Sequence, residues 1–255
     1  MRVRVLGCHG GESPQHLPTS FLVDGVFAID AGSICRSLEV EAQARIDDIL
    51  ISHCHLDHVK DLALLADQVF SLRSAPVNVH CGPETARALK RHLFNDVLWP
   101  DFTRLPSKSR PALRLRPHPA NRTFGIGNRY RISLVPVSHP VESMGIIVRD
   151  KRSSFFFSSD TGPTDKLWRA VRRIPNLRAA FVELSFPNNL QQLADTAGHL
   201  TPYSLSRELG KLSADGLDVF VYHMKPAHAA ETKRELRALR SDRIHALTVG
   251  DVIDV

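Results

Sequence analysis

Three imidazoles and one carboxylate fall within six consecutive positions of the segment Ser52-His53-Cys54-His55-Leu56-Asp57-His58. The short, mostly apolar run Asp48–Ile51 just before it is typical of a buried strand. Just after it, apolar residues recur at helical spacing from Val59 to Val69. The cluster is therefore predicted to lie on a turn from a strand to a helix.

The spacing within this cluster suits a metal site. Side chains two residues apart on extended backbone point the same way, so His53 and His55 are expected to hold one ion. Asp57 and His58 lie where the helix begins and are expected to reach a second ion. Imidazole and carboxylate ligands suit zinc, manganese or iron, metals that make water nucleophilic at neutral pH. The alternative is an accidental histidine-rich surface turn, and Cys54, which faces away from both neighbours, is assigned to packing.

Length and composition are those of a soluble globular protein. The 255 residues are 43% hydrophobic and 24% charged, which is ordinary for a chain with a large core. Met1–Leu6 alternates like a first strand and does not resemble a signal peptide, and no apolar run is long enough to span a membrane. The four cysteines lack zinc-finger spacing and are expected to be reduced, which predicts a cytoplasmic protein without membrane contact.

The chain is basic, with a formal net charge of +6 and a pI near 9.4. A positive field favours anionic partners such as phosphates. The basic residues are dispersed, in groups such as Lys90-Arg91 and Arg172-Arg173, and this is more typical of solvated faces than of a nucleic-acid groove. The charge therefore agrees with a phosphate-bearing substrate without identifying one.

Two strand-rich halves follow one another along the chain. The predicted strands are Arg2–Leu6, Ser20–Val23, Val26–Asp30, Asp48–Ser52, Val77–His80, Tyr130–Ser138, Met144–Arg149, Ser154–Ser159, Ala179–Leu184, Asp218–Tyr222, His245–Thr248 and Val252–Val255. Further helices are predicted at Pro83–Phe94, Asp165–Arg173, Pro202–Leu212 and Ala229–Arg237, and Trp99–Asn121 is interpreted as a loop or irregular strands. This order predicts one α/β (α+β) domain, residues 1–255, with two sheets face to face and helices outside.

Three polar residues downstream each follow an apolar strand. They are His139, Asp160 and His223. Taken singly, each is more typical of a hydrogen-bonded turn than of a metal ligand. Two coordination shells need more donors than the first cluster supplies, so the three together are candidates for the missing ligands.

The complete pattern resembles the metallo-β-lactamase superfamily, whose His-x-His-x-Asp-His motif corresponds to His53, His55, Asp57 and His58. The resemblance implies a four-layer αββα sandwich with two divalent metal ions at one edge. It implies one metal on His53, His55 and His139, the other on Asp57, His58 and His223, and Asp160 bridging them. Ala28-Ile29-Asp30-Ala31-Gly32 resembles an early element of the superfamily in which the Asp orients metal ligands.

Within the superfamily, the second half resembles the class II cyclic-nucleotide phosphodiesterases, in which a Gly-His-Leu-Thr-Pro segment precedes a helix. Here that segment is Gly198–Pro202, where Thr201 is expected to cap the helix. The chain departs from the family at Val59-Lys60-Asp61, where a small residue usually follows the last histidine. Related tRNA 3′-processing endonucleases share a Glu…Gly-His element. This segment therefore does not fully distinguish the phosphodiesterases from those endonucleases.

The resulting hypothesis is hydrolysis of a 3′,5′-cyclic nucleotide, cyclic AMP or cyclic GMP, to the 5′-monophosphate by a hydroxide shared between two metals. His199 is predicted to protonate or hydrogen-bond the leaving oxygen, Glu183 is predicted to orient His199, and Asp57 is expected to be essential to turnover. The expected partner is a small phosphodiester, and the resemblance to these families also suggests a homodimer. The alternatives are a nuclease of the tRNA-processing kind, another hydrolase such as a lactamase or thiolester hydrolase, and a non-catalytic binding protein.

Overall fold

Two seven-stranded sheets face each other in the computed structural model, which describes residues 1–212 and 216–255. The first sheet contains β1 (Arg2–Gly7), β2 (Ser20–Val23), β3 (Phe27–Ile29), β4 (Asp48–Leu50), β5 (Val77–Cys81), β8 (Leu113–Pro117) and β16 (Val252–Asp254). Between β5 and β8 lies a small hairpin of β6 (Pro106–Ser107) and β7 (Arg110–Pro111). The second sheet contains β9 (Thr123–Ile126), β10 (Tyr130–Pro136), β11 (Met144–Arg149), β12 (Ser154–Phe157), β13 (Leu177–Glu183), β14 (Asp218–Tyr222) and β15 (Ile244–Ala246).

The first sheet has the order β16-β1-β2-β3-β4-β5-β8. Its pairs are antiparallel from β16 to β3 and parallel from β3 to β8. Asp24 and Gly25 join β2 to β3 with φ angles of 48° and 75°. Two successive positive φ values match the right-handed twist of the strands, and Asp-Gly is a residue pair that readily adopts them, so the pair favours this tight hairpin.

The second sheet has the order β15-β14-β13-β12-β11-β10-β9. Its strands are antiparallel from β9 to β12 and parallel from β12 to β15. Consequently β10, β12, β13 and β14 all run in one direction. Their carboxyl ends therefore lie along the same edge of the sheet, where loops are free to carry functional side chains.

An aromatic cluster joins the inner faces of the two sheets. The ring of Phe21 in β2 lies 5.3 Å from that of Phe157, 5.6 Å from that of Phe181 and 5.5 Å from that of Tyr222, all edge to face. All four side chains are buried. Edge-to-face packing of this kind adds to the large apolar area that each ring removes from water.

Helices cover the outer faces of both sheets. Their bounds are α1 (Ile34–Ser37), α2 (Val40–Gln43), α3 (Leu56–Val69), α4 (Pro83–Ala88), α5 (Lys166–Val171), α6 (Gln191–Ala197), α7 (Pro202–Leu209) and α8 (Ala229–Ala238). Apolar residues of α1, α3 and α4 share a core with the first sheet, and those of α5, α7 and α8 share a core with the second. This arrangement confirms the predicted αββα sandwich.

Some predicted elements differ from the structure. The helix predicted at Pro83–Phe94 is instead α4 followed by a π-helical turn, Leu89–Leu93. After this turn the Phe94 amide donates to the Leu89 carbonyl, and the Phe94 ring is buried. The helix predicted to reach Leu212 ends at Leu209, before Gly210, a poor helix former. The strand β9 and the helix α6 were not predicted, because neither sequence has a clear apolar period.

Among the described residues, none of the helices combines the length and the apolar character needed to cross a membrane.

Candidate metal centre

Loops at one edge of the sandwich carry the predicted metal ligands. His53 and His55 follow β4 in the first sheet, and Asp57 and His58 occupy the first turn of α3. The other three leave the carboxyl ends of strands in the second sheet: His139 after β10, Asp160 after β12 and His223 after β14. The shared strand direction thus places residues that are distant in sequence along one edge of the sandwich.

One group of three nitrogens forms around His55. The Nδ1 atom of His55 lies 3.1 Å from His53 Nε2 and 3.2 Å from His139 Nε2. These three atoms are close enough to bind a single ion. The structure therefore brings together the residues predicted for the first metal.

A second group forms between α3 and the end of β14. The Nε2 atoms of His58 and His223 are 3.1 Å apart, and His223 Nε2 lies 3.3 Å from Asp57 Oδ2. The donor atoms of these three residues are also close enough to one another to hold a single ion. Asp57 is the more exposed member, at 24% of its side chain, whereas both histidines are fully buried.

Asp160 lies between the two groups. Its Oδ2 atom is 3.7 Å from His53 Nε2, 3.2 Å from His58 Nε2 and 3.0 Å from His223 Nε2. Its Oδ1 atom is buried and has no hydrogen-bond partner among the described residues. A buried carboxylate oxygen without a partner is costly unless an ion binds it.

Several histidine ligands form a hydrogen bond through Nδ1, the ring nitrogen that faces away from the candidate metal centre. This leaves Nε2, with its lone pair, facing the centre. His58 donates from Nδ1 to Asp30 Oδ2 at 2.7 Å, and His139 donates from Nδ1 to the carbonyl of Gly198 at 3.0 Å. The Nδ1 atom of His223 lies 3.0 Å from the hydroxyl of Ser185. A histidine that donates from Nδ1 presents a bare Nε2 to an ion, so this set of donors fits divalent cations.

The ionisation of the ligands also fits a cation site. Burial lowers the pKa of His53, His55, His139 and His223, which keeps these imidazoles neutral. Burial opposes ionisation of Asp160, but its interactions with His223 and His58 outweigh burial and hold the pKa of that carboxyl well below its usual range. Neutral imidazole is the form that binds a metal. His58 is the exception: burial disfavours its charged form, but the carboxylates of Asp160 and Asp30 outweigh burial and raise the pKa of His58 well above its usual range, so a bound metal would replace that proton.

His199, predicted to be catalytic, lies beside both groups. Its ring centroid is 5.2 Å from that of His139 and 5.4 Å from that of His223. It donates from Nδ1 to Glu183 Oε1 at 2.9 Å, and Glu183 is fully buried at the end of β13. Burial disfavours the charged imidazole, but the Glu183 carboxylate outweighs it and raises the pKa of His199. The predicted His199–Glu183 pair is therefore in contact in the structure.

Two residues near this pair were not predicted. The hydroxyl of Ser185 donates to Glu183 Oε2 at 3.0 Å and lies 3.1 Å from His199 Nδ1 and 3.0 Å from His223 Nδ1. Lys225 places Nζ 3.8 Å from Asp57 Oδ2. No strand periodicity signals Lys225, because β14 ends at Tyr222 and His223 has a positive φ of 76°.

The first loop of the chain approaches the centre from another side. Its Gly10 amide donates to the carbonyl of Met224 at 3.2 Å. A Cβ atom on Gly10 would lie 2.7 Å from Cε1 of His223 and 2.6 Å from its carbonyl oxygen. Only glycine fits here.

Cys54 is half-buried and belongs to none of the candidate ligand groups among the described residues.

A family model described as a β-lactamase superfamily domain matches residues 19–245, most of the chain. The chain belongs to the metallo-β-lactamase superfamily. Membership in the superfamily confirms the fold class and identifies a metal-dependent hydrolase. The metallo-β-lactamase fold implies bound divalent metal ions, typically two.

Curated relatives in the superfamily carry consistent names. A probable 3′,5′-cyclic-nucleotide phosphodiesterase of Yersinia pestis is 28% identical across 88% of this chain and 78% of the relative. The 3′,5′-cyclic-nucleotide phosphodiesterase 1 of Saccharomyces cerevisiae is 28% identical across 78% of this chain and 63% of the relative. These similarities confirm the predicted resemblance to the cyclic-nucleotide phosphodiesterases.

Solved structures share the fold. The crystal structure of unliganded yeast PDE1 superposes with a TM-score of 0.83 at 21% identity, covering 100% of this chain and 99% of that one. The short form of human tRNase Z superposes with a TM-score of 0.73 at 14% identity, covering 100% and 99%. At these identities the superpositions establish the architecture of the superfamily and leave the substrate open.

Proposed function

We propose that this protein hydrolyses a 3′,5′-cyclic nucleotide, cyclic AMP or cyclic GMP, to the nucleoside 5′-monophosphate at a centre of two metals. The observation that carries the proposal is the buried His199–Glu183 pair beside two converging groups of metal-ligand atoms. Such an arrangement provides both a site for cations and a proton donor. The names of the curated relatives support a cyclic nucleotide as the substrate.

The proposed ligand sets follow the two groups of donor atoms. His53, His55 and His139 would hold one ion, Asp57, His58 and His223 would hold the other, and Asp160 would bridge them. Zinc is the proposed metal, with manganese or iron as alternatives, because imidazole and carboxylate donors suit all three. Bound divalent cations supply a water-derived nucleophile at neutral pH and offset negative charge on a phosphate.

His199 is proposed to donate a proton to the ester oxygen that leaves the phosphorus. Its Nδ1 is engaged by Glu183, so its Nε2 is the atom available to the substrate. Ser185 shares hydrogen bonds with Glu183 and both histidines, and it fixes the tilt of the His199 ring relative to His223. These residues orient and protonate the leaving group, a task separate from binding the cations.

A panel of substrates tests this function. Protein loaded with zinc or manganese is assayed with cyclic AMP, cyclic GMP, bis(4-nitrophenyl) phosphate, a precursor tRNA and a thioester. Turnover of a cyclic nucleotide with release of the 5′-monophosphate is expected. Turnover of the precursor tRNA alone would identify a nuclease instead, and turnover of the thioester alone would identify a hydrolase of another class.

The Asp160→Ala variant tests the metal centre within the same assay. We expect it to lose turnover and to bind less metal, because its carboxylate lies against three of the proposed ligands. Metal content is measured by elemental analysis, and circular dichroism confirms that the variant is folded. Asp67→Asn, an exposed position on α3, is the control and should retain both properties. A folded Asp160→Ala variant with full activity would refute the proposed centre.

A further inference from the structure

Lys225 lies on the accessible side of the metal centre. Its Nζ atom is 3.8 Å from Asp57 Oδ2, and the side chains of Lys225 and Asp57 are 27% and 24% exposed. The neighbouring His58 and His223 side chains are fully buried. This ammonium group is therefore accessible to a substrate at the edge of the centre.

The backbone around Lys225 is fixed on two sides. Its amide donates to the carbonyl of Ser185 at 3.1 Å, and the carbonyl of the preceding Met224 accepts from the Gly10 amide at 3.2 Å. Pro226 follows and restricts the chain further. These contacts hold the backbone from which the Lys225 side chain extends, and its ammonium group lies 3.8 Å from the Asp57 carboxylate.

The charge of Lys225 is less compensated than that of a nearby lysine. Lys60, whose side chain is also 27% exposed, pairs with Asp61 at 3.1 Å and with Glu12 at 3.5 Å. Among the described residues, the one carboxylate within ion-pair distance of Lys225 is Asp57, a proposed metal ligand. A carboxylate that binds a divalent cation has its charge shared with the metal, so the ammonium group is free for another anion.

We propose that Lys225 binds a non-bridging phosphoryl oxygen of the substrate and holds the phosphodiester against the metal centre. This role rests on the proposed function and names a further substrate-binding residue for it. A phosphodiester carries a negative charge that an ammonium group can neutralise as a point charge. The contact strengthens as negative charge develops on these oxygens during attack. His199 then acts on the leaving oxygen, and Lys225 holds the phosphoryl group from the side of Asp57.

Three variants of the full-length, zinc-loaded protein test the role: Lys225→Met, Lys225→Arg and, as control, Lys211→Met. Lys211 has a similar exposed fraction and pairs with Glu208 and Asp165. The dissociation constant for inorganic phosphate is measured by calorimetry, the zinc content by elemental analysis, and kcat and KM with bis(4-nitrophenyl) phosphate. Lys225→Met should bind phosphate about tenfold more weakly with unchanged zinc content, as expected for loss of a charged hydrogen bond.

The outcomes separate this role from a structural one. Lys225→Arg should recover most of the phosphate affinity, and Lys211→Met should match the wild type. Unchanged phosphate affinity in Lys225→Met would overturn the proposal, and so would a parallel loss of zinc, since that would mean that Lys225 supports Asp57 instead. If phosphate binding depends on Lys225 but no phosphodiester is hydrolysed, the proposed function is wrong and the anion-binding role stands.

Discussion

Asp30 contacts the candidate metal ligand His58. Its carboxylate accepts from His58 Nδ1 at 2.7 Å and from the amide and hydroxyl of Ser52, both at 2.8 Å. All three residues are fully buried. The resemblance of Ala28–Gly32 to an early element of the superfamily predicts that Asp30 orients metal ligands. The structure shows the contacts through which Asp30 would orient His58.

The Asp30→Asn variant should bind zinc about 10- to 100-fold more weakly, because an amide is a poorer acceptor for the His58 ring and does not raise its basicity. Competition with a zinc chelator measures the affinity. Asp67→Asn is again a suitable control, since that side chain is exposed on α3. An Asp30→Asn variant with wild-type zinc affinity would show that the hydrogen bond to His58 does not tune the centre.

Some residues at the site were predictable and others were not, for a physical reason. His53, His55, Asp57 and His58 are informative because four residues of ligand type at short spacing are rare outside metal sites. Ser185 carries no such signal. Its hydroxyl matters only because β13 and β14 place it between Glu183 and His223, a juxtaposition created by the folded sheet.

The helix α7 shows what a sequence determines at the scale of one element. Thr201 Oγ1 accepts from the Ser204 amide, and the Ser204 hydroxyl accepts from the Thr201 amide, so the two residues form a capping box. Pro202 begins the helix, as predicted, and Leu205 is fully buried. These are local features, and local features are what a single sequence specifies best.

Loss of the cap should destabilise the protein measurably. Thr201→Ala removes the acceptor for the first turn of α7 and should lower the free energy of unfolding by about 1 kcal/mol. Urea denaturation followed by circular dichroism measures the change. Thr201→Ser retains the hydroxyl and should stay near the wild type. Equal stability of the Ala and Ser variants would mean that the capping box contributes nothing to α7.

Elements that are stabilised mainly by pairing with a neighbouring strand were harder to predict. The strand β9 includes a glycine and has little apolar alternation, and its stability comes from pairing with β10. The segment Trp99–Asn121 lacks a clear period, yet β8 within it completes the parallel part of the first sheet beside β5. Both strands lie at sheet edges, where tertiary pairing outweighs intrinsic preference.

At the scale of the whole molecule, a stack of rings joins the outer strands of the two sheets. His118 follows β8 in the first sheet, and its ring lies 3.5 Å from that of Phe124 in β9 of the second, nearly parallel. The His118 Nε2 atom is 2.9 Å from His80 Nδ1, and His80 donates from Nε2 to Asp48 at 2.8 Å. Burial, and then the charges of His80 and Arg116, lower the pKa of His118 to about 4.

This lowered pKa makes stability depend on pH. Between pH 6.5 and about 4 the unfolded chain binds a proton at His118 that the folded chain excludes, so the free energy of unfolding should fall as the pH is lowered through this window. The His118→Gln variant should show a shallower fall, measured by urea denaturation at several pH values under identical metal conditions. His92→Gln, at an exposed position, should follow the wild type. If the free energy of unfolding changes with pH equally in the His118→Gln variant and the wild type, the contact between the sheet edges tolerates a charged imidazole. The loss of stability in acid would then come from other residues.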